Sequence, residues 1–254
     1  MEVGDNMDKK ILYEVIRIIE GVPLFLEEHI KRMENSFIII SCPIPNEIYN
    51  MGRDIEALVK KENRKFGNIK VTYNIESKEL KLFFIEHNYP TAEMYSVGVK
   101  TILYFAERES PNAKIMNENF RAKINKEIQK NNAYEAILVD GKGFITEGSR
   151  SNIFMVKENV IITSPVKSVL PGVTREVIIR LIKENGYHFI EKEYNYKNIK
   201  HLNGMFISGT SPKILPINCV DNMKIKAQNA IVEELKNRYN MEIESYVKNN
   251  KFLS

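Results

Sequence analysis

Between Tyr134 and Thr163 the chain carries four short apolar runs, YEAILVD, FITEG, NIFMV and VIIT, with gaps too short to hold a helix. Gly141-Lys142-Gly143 marks a tight turn in the first gap. Short β-branched runs joined this closely pair with their chain neighbours, so the region predicts a meander or barrel-like sheet. Any fold for this protein has to accommodate that sheet.

The flanking segments alternate between strand and helix patterns. Ile11 to Ile19 is rich in β-branched residues and bounded by Gly21 and Pro23, which predicts a strand. Leu26, Ile30, Met33 and Phe37 then recur every three to four residues, the period of a helix with one apolar face. Asn46 is placed to cap a second helix, with Ile48, Met51, Ile55, Leu58 and Val59 inward. NIKVTYNI and ELKLFFIE predict a hairpin around Glu76-Ser77-Lys78, and HNYPTAEMY reads as a linker. These patterns predict a small N-terminal α/β domain over 1–90 and a larger domain over 91–254.

The second part opens with the strand VGVKTILYF, the loop SPNAK and a helix from about Glu118 to Asn132. After the meander, Val173, Val177, Ile178, Leu181 and Ile182 share a helix face that Gly186 should end. MFISGTSPKILPI predicts a turn between two apolar strands, and a last amphipathic helix is expected from about Lys226 to Lys248. The fold class is therefore mixed α/β (α+β).

Composition removes several function classes. The 254 residues carry 37 Lys and Arg against 33 Asp and Glu, a formal charge of +4 without basic clustering, which disfavours nucleic-acid binding. Only Cys42 and Cys219 are present, so neither a disulfide scaffold nor a zinc set is expected, and no metal site is assigned. The N-terminal MEVGDNMDKK is polar and Glu14 and Arg17 interrupt the next apolar run, so no signal peptide or membrane partner is expected. A cytoplasmic location follows as the expectation.

Four places could carry chemistry. Lys114, in SPNAK, and Glu147, in ITEGSRSNIF, are a primary amine able to form an imine and a carboxylate able to hold a pyridine nitrogen protonated. In PGVTRE, the amides of Val173 and Thr174 and the Thr174 hydroxyl sit at a helix start, where an anion is favoured; a plain capped helix has the same pattern. In SGTSP, Gly209 permits close backbone approach while Thr210 and Ser211 offer hydroxyls; a simple turn reads the same way. Arg32 lies on the helix bearing His29, as either an anion ligand or a surface residue.

In order and approximate spacing, HIKRMENS, PNAKIMN, YEAILVDGKGFITEGSRSNIF, LPGVTRE and FISGTSPKILPI resemble the class IV, fold type IV, pyridoxal phosphate-dependent aminotransferases. That family includes branched-chain and D-amino acid aminotransferases and aminodeoxychorismate lyases. The resemblance runs from Tyr13 to Ile217, and its most specific parts are EG-x-x-x-N-[IV]-F and LPG-V-T-R. It implies pyridoxal 5'-phosphate as cofactor, Lys114 as the imine-forming lysine and Glu147 as the partner of the ring nitrogen. It further implies that Arg32, Val173, Thr174 and Thr210, with Gly209 and Ser211 in the same turn, hold the phosphate, and that Tyr13 lines the substrate side. A homodimer acting on an amino acid and a keto acid is expected by the same resemblance.

Three departures stand out. The family's first strand and glycine-rich turn are missing, with DNMDKK in their place. Tyr73 stands where D-amino acid aminotransferases carry an arginine for the substrate carboxylate. Arg150 occupies a position that is often small in relatives, and either reaches the substrate carboxylate or pairs with an acidic surface residue. An aminotransferase is the reading this supports, ahead of an aminodeoxychorismate lyase that eliminates pyruvate to give 4-aminobenzoate. A binding protein that has lost its chemistry comes last.

Overall fold

The computed structural model describes residues 10–251; the polar N-terminal segment that replaces the expected glycine-rich turn lies outside them, save Lys10. By internal contact the described chain forms two compact units. One takes the residues up to Asn88, Asn112–Met116 and those from Glu242 onward; the other takes Tyr89–Pro111 and Asn117–Met241.

The first unit is built on an antiparallel sheet in the order β2-β1-β3-β4, comprising β1 (Ile11–Ile19), β2 (Val22–Pro23), β3 (Gly67–Asn74) and β4 (Glu79–Ile85). Strand alternation places Leu12, Glu14, Ile16 and Ile18 on one buried face of β1. Three of these join a core with Met33 and Phe37 of α1 (Leu26–Ile39) and with Met51, Ile55 and Val59 of α3 (Met51–Glu62). Glu14 is therefore a carboxylate on a core-facing position. The β3–β4 turn forms because the Asn74 side-chain oxygen accepts the amides of Glu76 and Ser77, with Lys78 left-handed at φ 54°.

One predicted helix differs. Asn46 begins the short α2 (Asn46–Tyr49), preceded by Pro45, and makes no side-chain cap. The chain breaks at Asn50 before α3 starts, so the expected single helix is two. Proline at the boundary fixes the turn that a capping side chain was expected to hold.

The segment around Lys114 adds to the edge of β1 left open by β3. The Tyr13 amide donates to the Lys114 carbonyl at 3.1 Å and the Met116 amide to the Ile11 carbonyl at 2.9 Å. Ile115 pairs antiparallel with Leu12.

The second unit holds a mixed nine-stranded sheet. Its path runs β10 (His188–Glu191), β9 (Val160–Thr163), β8 (Asn152–Lys157), β11 (Gly204–Gly209), β12 (Lys213–Val220), β5 (Val99–Phe105), β6 (Glu135–Val139) and β7 (Ile145–Gly148), with β13 (Met223–Lys224) paired to β12. Its two ends meet. The Ile145 amide donates to the Tyr194 carbonyl at 2.9 Å, and Phe144 bridges to Asn195, just beyond β10. The sheet curls on itself, in line with the barrel-like expectation, and leaves few edge groups unpaired. It is not a meander: β7 and β8 follow each other in the chain without pairing, since β7 lies beside β6 at one end of the path and β8 between β9 and β11.

Ile153, Met155, Met205 and Ile207 fill one side of this sheet, and Phe154 and Phe206 stack on the other with ring centroids 4.9 Å apart. Ile124 and Ile128 of α5 (Glu118–Lys130) cover Ile102, Ala136 and Leu138. Two elements were not anticipated. The expected linker contains α4 (Ala92–Val97), which Thr91 caps by accepting the Met94 amide at 3.2 Å, and β10 pairs parallel with β9. The helices α6 (Val173–Glu184) and α7 (Ala230–Asn249) fall where their periodicity places them, and α7 starts where the Asn229 side chain accepts the Ile231 and Val232 amides.

Candidate active site

In the first unit, α1 and β1 bring Glu14, His29 and Arg32 together inside the core. Arg32 Nε donates to Glu14 Oε1 at 2.8 Å and Arg32 Nη2 to Oε2 at 2.5 Å, a forked ion pair. His29 Nδ1 lies 2.7 Å from the same Oε2. With a carboxylate facing it, Nδ1 carries the proton.

Burial alone would raise the Glu14 carboxyl, but the Arg32 charge and bonds, with His29, outweigh it and hold the group well below the carboxylate range. Burial lowers the His29 imidazole first, and the Glu14 contact does not overcome it. The Arg32 guanidinium is thus held by a carboxylate supplied from the neighbouring strand.

Lys114 is clamped through its backbone. Its carbonyl accepts from Tyr13, and its amide donates to Ser36 Oγ at 3.1 Å, while Ser36 Oγ donates to the Arg32 carbonyl at 3.0 Å. Lys114 Nζ stands 4.7 Å from the centre of the Tyr13 ring, on the face of β1 opposite Glu14. Lys114 and Tyr13 are thus neighbours in this unit. Tyr73 instead packs in the core, edge-on to Phe37 at 5.1 Å.

In the second unit, Glu147 is 3 % exposed near the end of β7. Its Oε1 accepts from Arg108 Nη1 at 3.2 Å and its Oε2 from the Leu170 amide at 3.0 Å. The turn that follows is dense. A Cβ on Gly148 would lie 2.0 Å from Ser151 Oγ, and one on Gly172 would lie 2.1 Å from Asn152 Oδ1. Both glycines are there because side-chain oxygens fill the space a Cβ would need. Asn152 Nδ2 also donates to the Leu170 carbonyl at 2.9 Å, which joins the EGSRSN turn to the LPGVTR segment.

Helix α6 begins at Val173 after Gly172, with no side-chain cap on its first amides. Thr174 is buried there, its Oγ1 3.5 Å from the Tyr239 hydroxyl. Arg175, next in LPGVTR, is turned away: it pairs with Glu176 at 2.7 Å and Glu191 at 3.0 Å and donates to the Ser164 carbonyl at 3.2 Å. Gly209 ends β11 beside the EGSRSN turn, since its Cβ would meet the Arg150 carbonyl at 3.6 Å. Thr210 and Ser211 follow in that turn. Arg150 is exposed.

The segments that hold these groups match, over residues 11–220, the family model described as amino-transferase class IV. The chain belongs to the class IV aminotransferases. It is 29% identical over 245 residues to a Methanocaldococcus jannaschii protein provisionally named a branched-chain-amino-acid aminotransferase, covering 90% of this chain and 85% of that one. It is 27% identical over 231 residues to the D-alanine aminotransferase of Bacillus licheniformis, covering 84% and 80%. In fold it is similar to a Legionella pneumophila protein provisionally named a 4-amino-4-deoxychorismate lyase, with TM-score 0.84, 19% identity and coverage of 95% and 96%.

Within this class IV aminotransferase the structure adds residues that the sequence pattern did not single out. Arg108 is one, bonded to a glutamate 39 positions away with no local signal. Glu14 is another, and its signal was available: a carboxylate at a core-facing position of a β-branched strand needs a buried partner.

Proposed function

We propose that this class IV aminotransferase moves an amino group between an amino acid and a 2-keto acid with pyridoxal 5'-phosphate, using Lys114 as the amine and Glu147 as the carboxylate at the ring nitrogen. The match over residues 11–220, which includes both residues, is what most supports this reading. When bound, pyridoxal phosphate supplies an aldehyde that condenses with amines and a ring that accepts electrons from the substrate α-carbon.

The local chemistry fits that group. The uncapped start of α6 and the Thr174 hydroxyl suit a phosphate, as do Gly209, Thr210 and Ser211 in their turn. Arg32 adds a guanidinium whose orientation Glu14 sets through two hydrogen bonds. Glu147 keeps a carboxylate oriented by Arg108 and the Leu170 amide, which favours a protonated partner at that oxygen pair.

Lys114 moves a proton at the substrate α-carbon. Its fixed backbone confines Nζ to the swing of one side chain over the Tyr13 ring. Tyr13 and Arg150 are the proposed substrate-side residues, with Arg150 as the group for the substrate carboxylate; Tyr73 drops out of that set because its ring packs against Phe37 in the core. We place the enzyme in the cytoplasm, where its two cysteines suit a reducing setting, and propose a homodimer, which the resemblance implies.

The test is the visible spectrum of protein purified with pyridoxal phosphate, recorded before and after single L- or D-amino acids without keto acid. Loss of the visible band with one donor is the expected result and names that donor. A band that no amino acid changes, with pyruvate released from aminodeoxychorismate, would replace the aminotransferase by the lyase. If the Lys114→Ala protein keeps the same band as the unaltered enzyme, the assignment of Lys114 fails.

A further inference from the structure

Glu135, at the start of β6, is 3 % exposed, and among the described residues no Lys, Arg or His lies within 4.0 Å of its carboxylate. Instead the carboxylate gathers the donors of the turn after Glu147. Its Oε1 accepts from the Ser149 amide at 3.2 Å, from Ser149 Oγ at 2.5 Å and from the Ala136 amide at 2.8 Å. Its Oε2 accepts from the Arg150 amide at 3.2 Å and from Ser151 Oγ at 3.0 Å. A buried carboxylate without a cation is costly unless its oxygens are satisfied, and here five neutral donors satisfy them.

The geometry around this cluster leaves no slack. A Cβ on Gly148 would come within 3.3 Å of Glu135 Cγ and Cδ as well as 2.0 Å of Ser151 Oγ. The Ser149 amide also donates to the Ala136 carbonyl at 2.9 Å, so the turn is tied to β6 by backbone and side chain together. The same turn carries the Arg150 carbonyl against Gly209. Glu147 lies one residue before the tied stretch begins at Gly148.

We propose that Glu135 is a positioning residue: its carboxylate folds the Ser149–Ser151 turn and thereby sets the orientation of Glu147 and the spacing of the turn against Gly209. The proposal rests on the reading of Glu147 as the ring-nitrogen carboxylate. A glutamine at 135 keeps the shape but replaces one acceptor oxygen by a donor, and that donor meets the turn's own donors. A shorter aspartate keeps two acceptor oxygens and recovers part of the effect.

The test compares the holoenzyme with its Glu135→Gln and Glu135→Asp variants by two readouts. Amide hydrogen exchange of Ser149 and Arg150 is expected to rise about tenfold in Glu135→Gln, the loss of one charge-assisted hydrogen bond, while the β3–β4 hairpin is unchanged. The kcat per bound cofactor is expected to fall about tenfold with KM for the amino donor held within about twofold, the pattern of a misplaced catalytic group. Glu135→Asp is expected to lie between.

Unchanged exchange in the turn would overturn the proposal. So would faster exchange with unchanged kcat, since the carboxylate would then serve folding alone. If Glu135→Gln does not fold, the double variant Ser149→Ala and Ser151→Ala removes two donors and carries the same readouts with smaller changes. An unaltered enzyme without a cofactor band overturns the aminotransferase reading and with it the orienting role, and the exchange readout still decides whether Glu135 holds the turn.

Discussion

Glu14 and Glu135 are two carboxylates buried to the same degree and satisfied in opposite ways. Glu14, 0 % exposed, is held by the Arg32 fork and by His29, groups carried on a helix that packs over its strand. Glu135, 3 % exposed, is held by amides and hydroxyls from a turn close to it in the chain. A cation balances the charge of a carboxylate and is itself expensive to leave unpaired. Neutral dipoles spread the charge over several charge-assisted bonds, each directional enough to shape a loop. The first arrangement orients one side chain, Arg32, and the second orients a whole turn. Glu147 combines them, with Arg108 on one oxygen and a backbone amide on the other.

The largest expected effect separates these two modes. Glu14→Ala leaves Arg32 and His29 buried without their carboxylate and should cost about 3–5 kcal/mol in urea unfolding. Glu135→Ala strands only neutral donors and should cost about 1–3 kcal/mol. Equal losses would erase the distinction drawn here.

Steric tests come next. Gly148→Ala places a Cβ 2.0 Å from Ser151 Oγ and Gly172→Ala places one 2.1 Å from Asn152 Oδ1. Each should destabilise by about 1–3 kcal/mol in the same assay, with overpacking as the cause. A variant as stable as the parent would show that the turn gives way easily and is not a rigid support.

Acid titration sharpens the contrast further, because only the first cluster contains a histidine. His29 binds its proton more weakly in the folded protein than its usual 6.5, so the stability it contributes is present above that pH and is lost as pH falls below it. Glu14 is depressed as well; its contribution is present above the ordinary carboxyl value of 4.5 and is lost only at lower pH. Melting temperature should therefore begin to fall below about pH 6.5, and His29→Gln should delay the fall until carboxylates titrate. If His29→Gln leaves the onset unchanged, burial of the imidazole is not what sets it.

The smallest effect belongs to the surface. Lys60 pairs with Glu56 at 2.7 Å across one helical turn, but its side chain is 68% exposed. Lys60→Ala should change stability by only about 0.3–0.5 kcal/mol, against the several expected for Glu14. A larger loss would mean that exposure does not govern the strength of ion pairs in this protein.

Much of the architecture is legible in the sequence. The strand at Ile11–Ile19, the hairpin about Ser77, the four short strands from Glu135 and the helix after Gly172 all follow from local periodicity, while the separation of β7 from β8 in the sheet does not. Proline at 45 and the Asn50 break were missed because the apolar spacing from Ile48 to Val59 continues across the interruption. The α4 helix was missed because six residues give too short a pattern to separate from a linker. Lys114 and Glu147 could be singled out as candidates from the segments around them, whereas the Arg108 contact to Glu147 could not, since only the path of β5 and its following loop brings the two together.

Most of the elements, the curled sheet and membership of the class IV aminotransferases are legible in one dimension, because strand and helix periods and the EGSRSN and LPGVTR segments are properties of neighbouring residues; α4, β10 and the α2–α3 break are not. Which partner each buried carboxylate takes depends on packing. Among 37 Lys and Arg residues every candidate ion pair looks alike in one dimension. What selects Arg32 for Glu14, Arg108 for Glu147 and a cation-free turn for Glu135 is distance and exclusion of water, which exist only once the chain has packed.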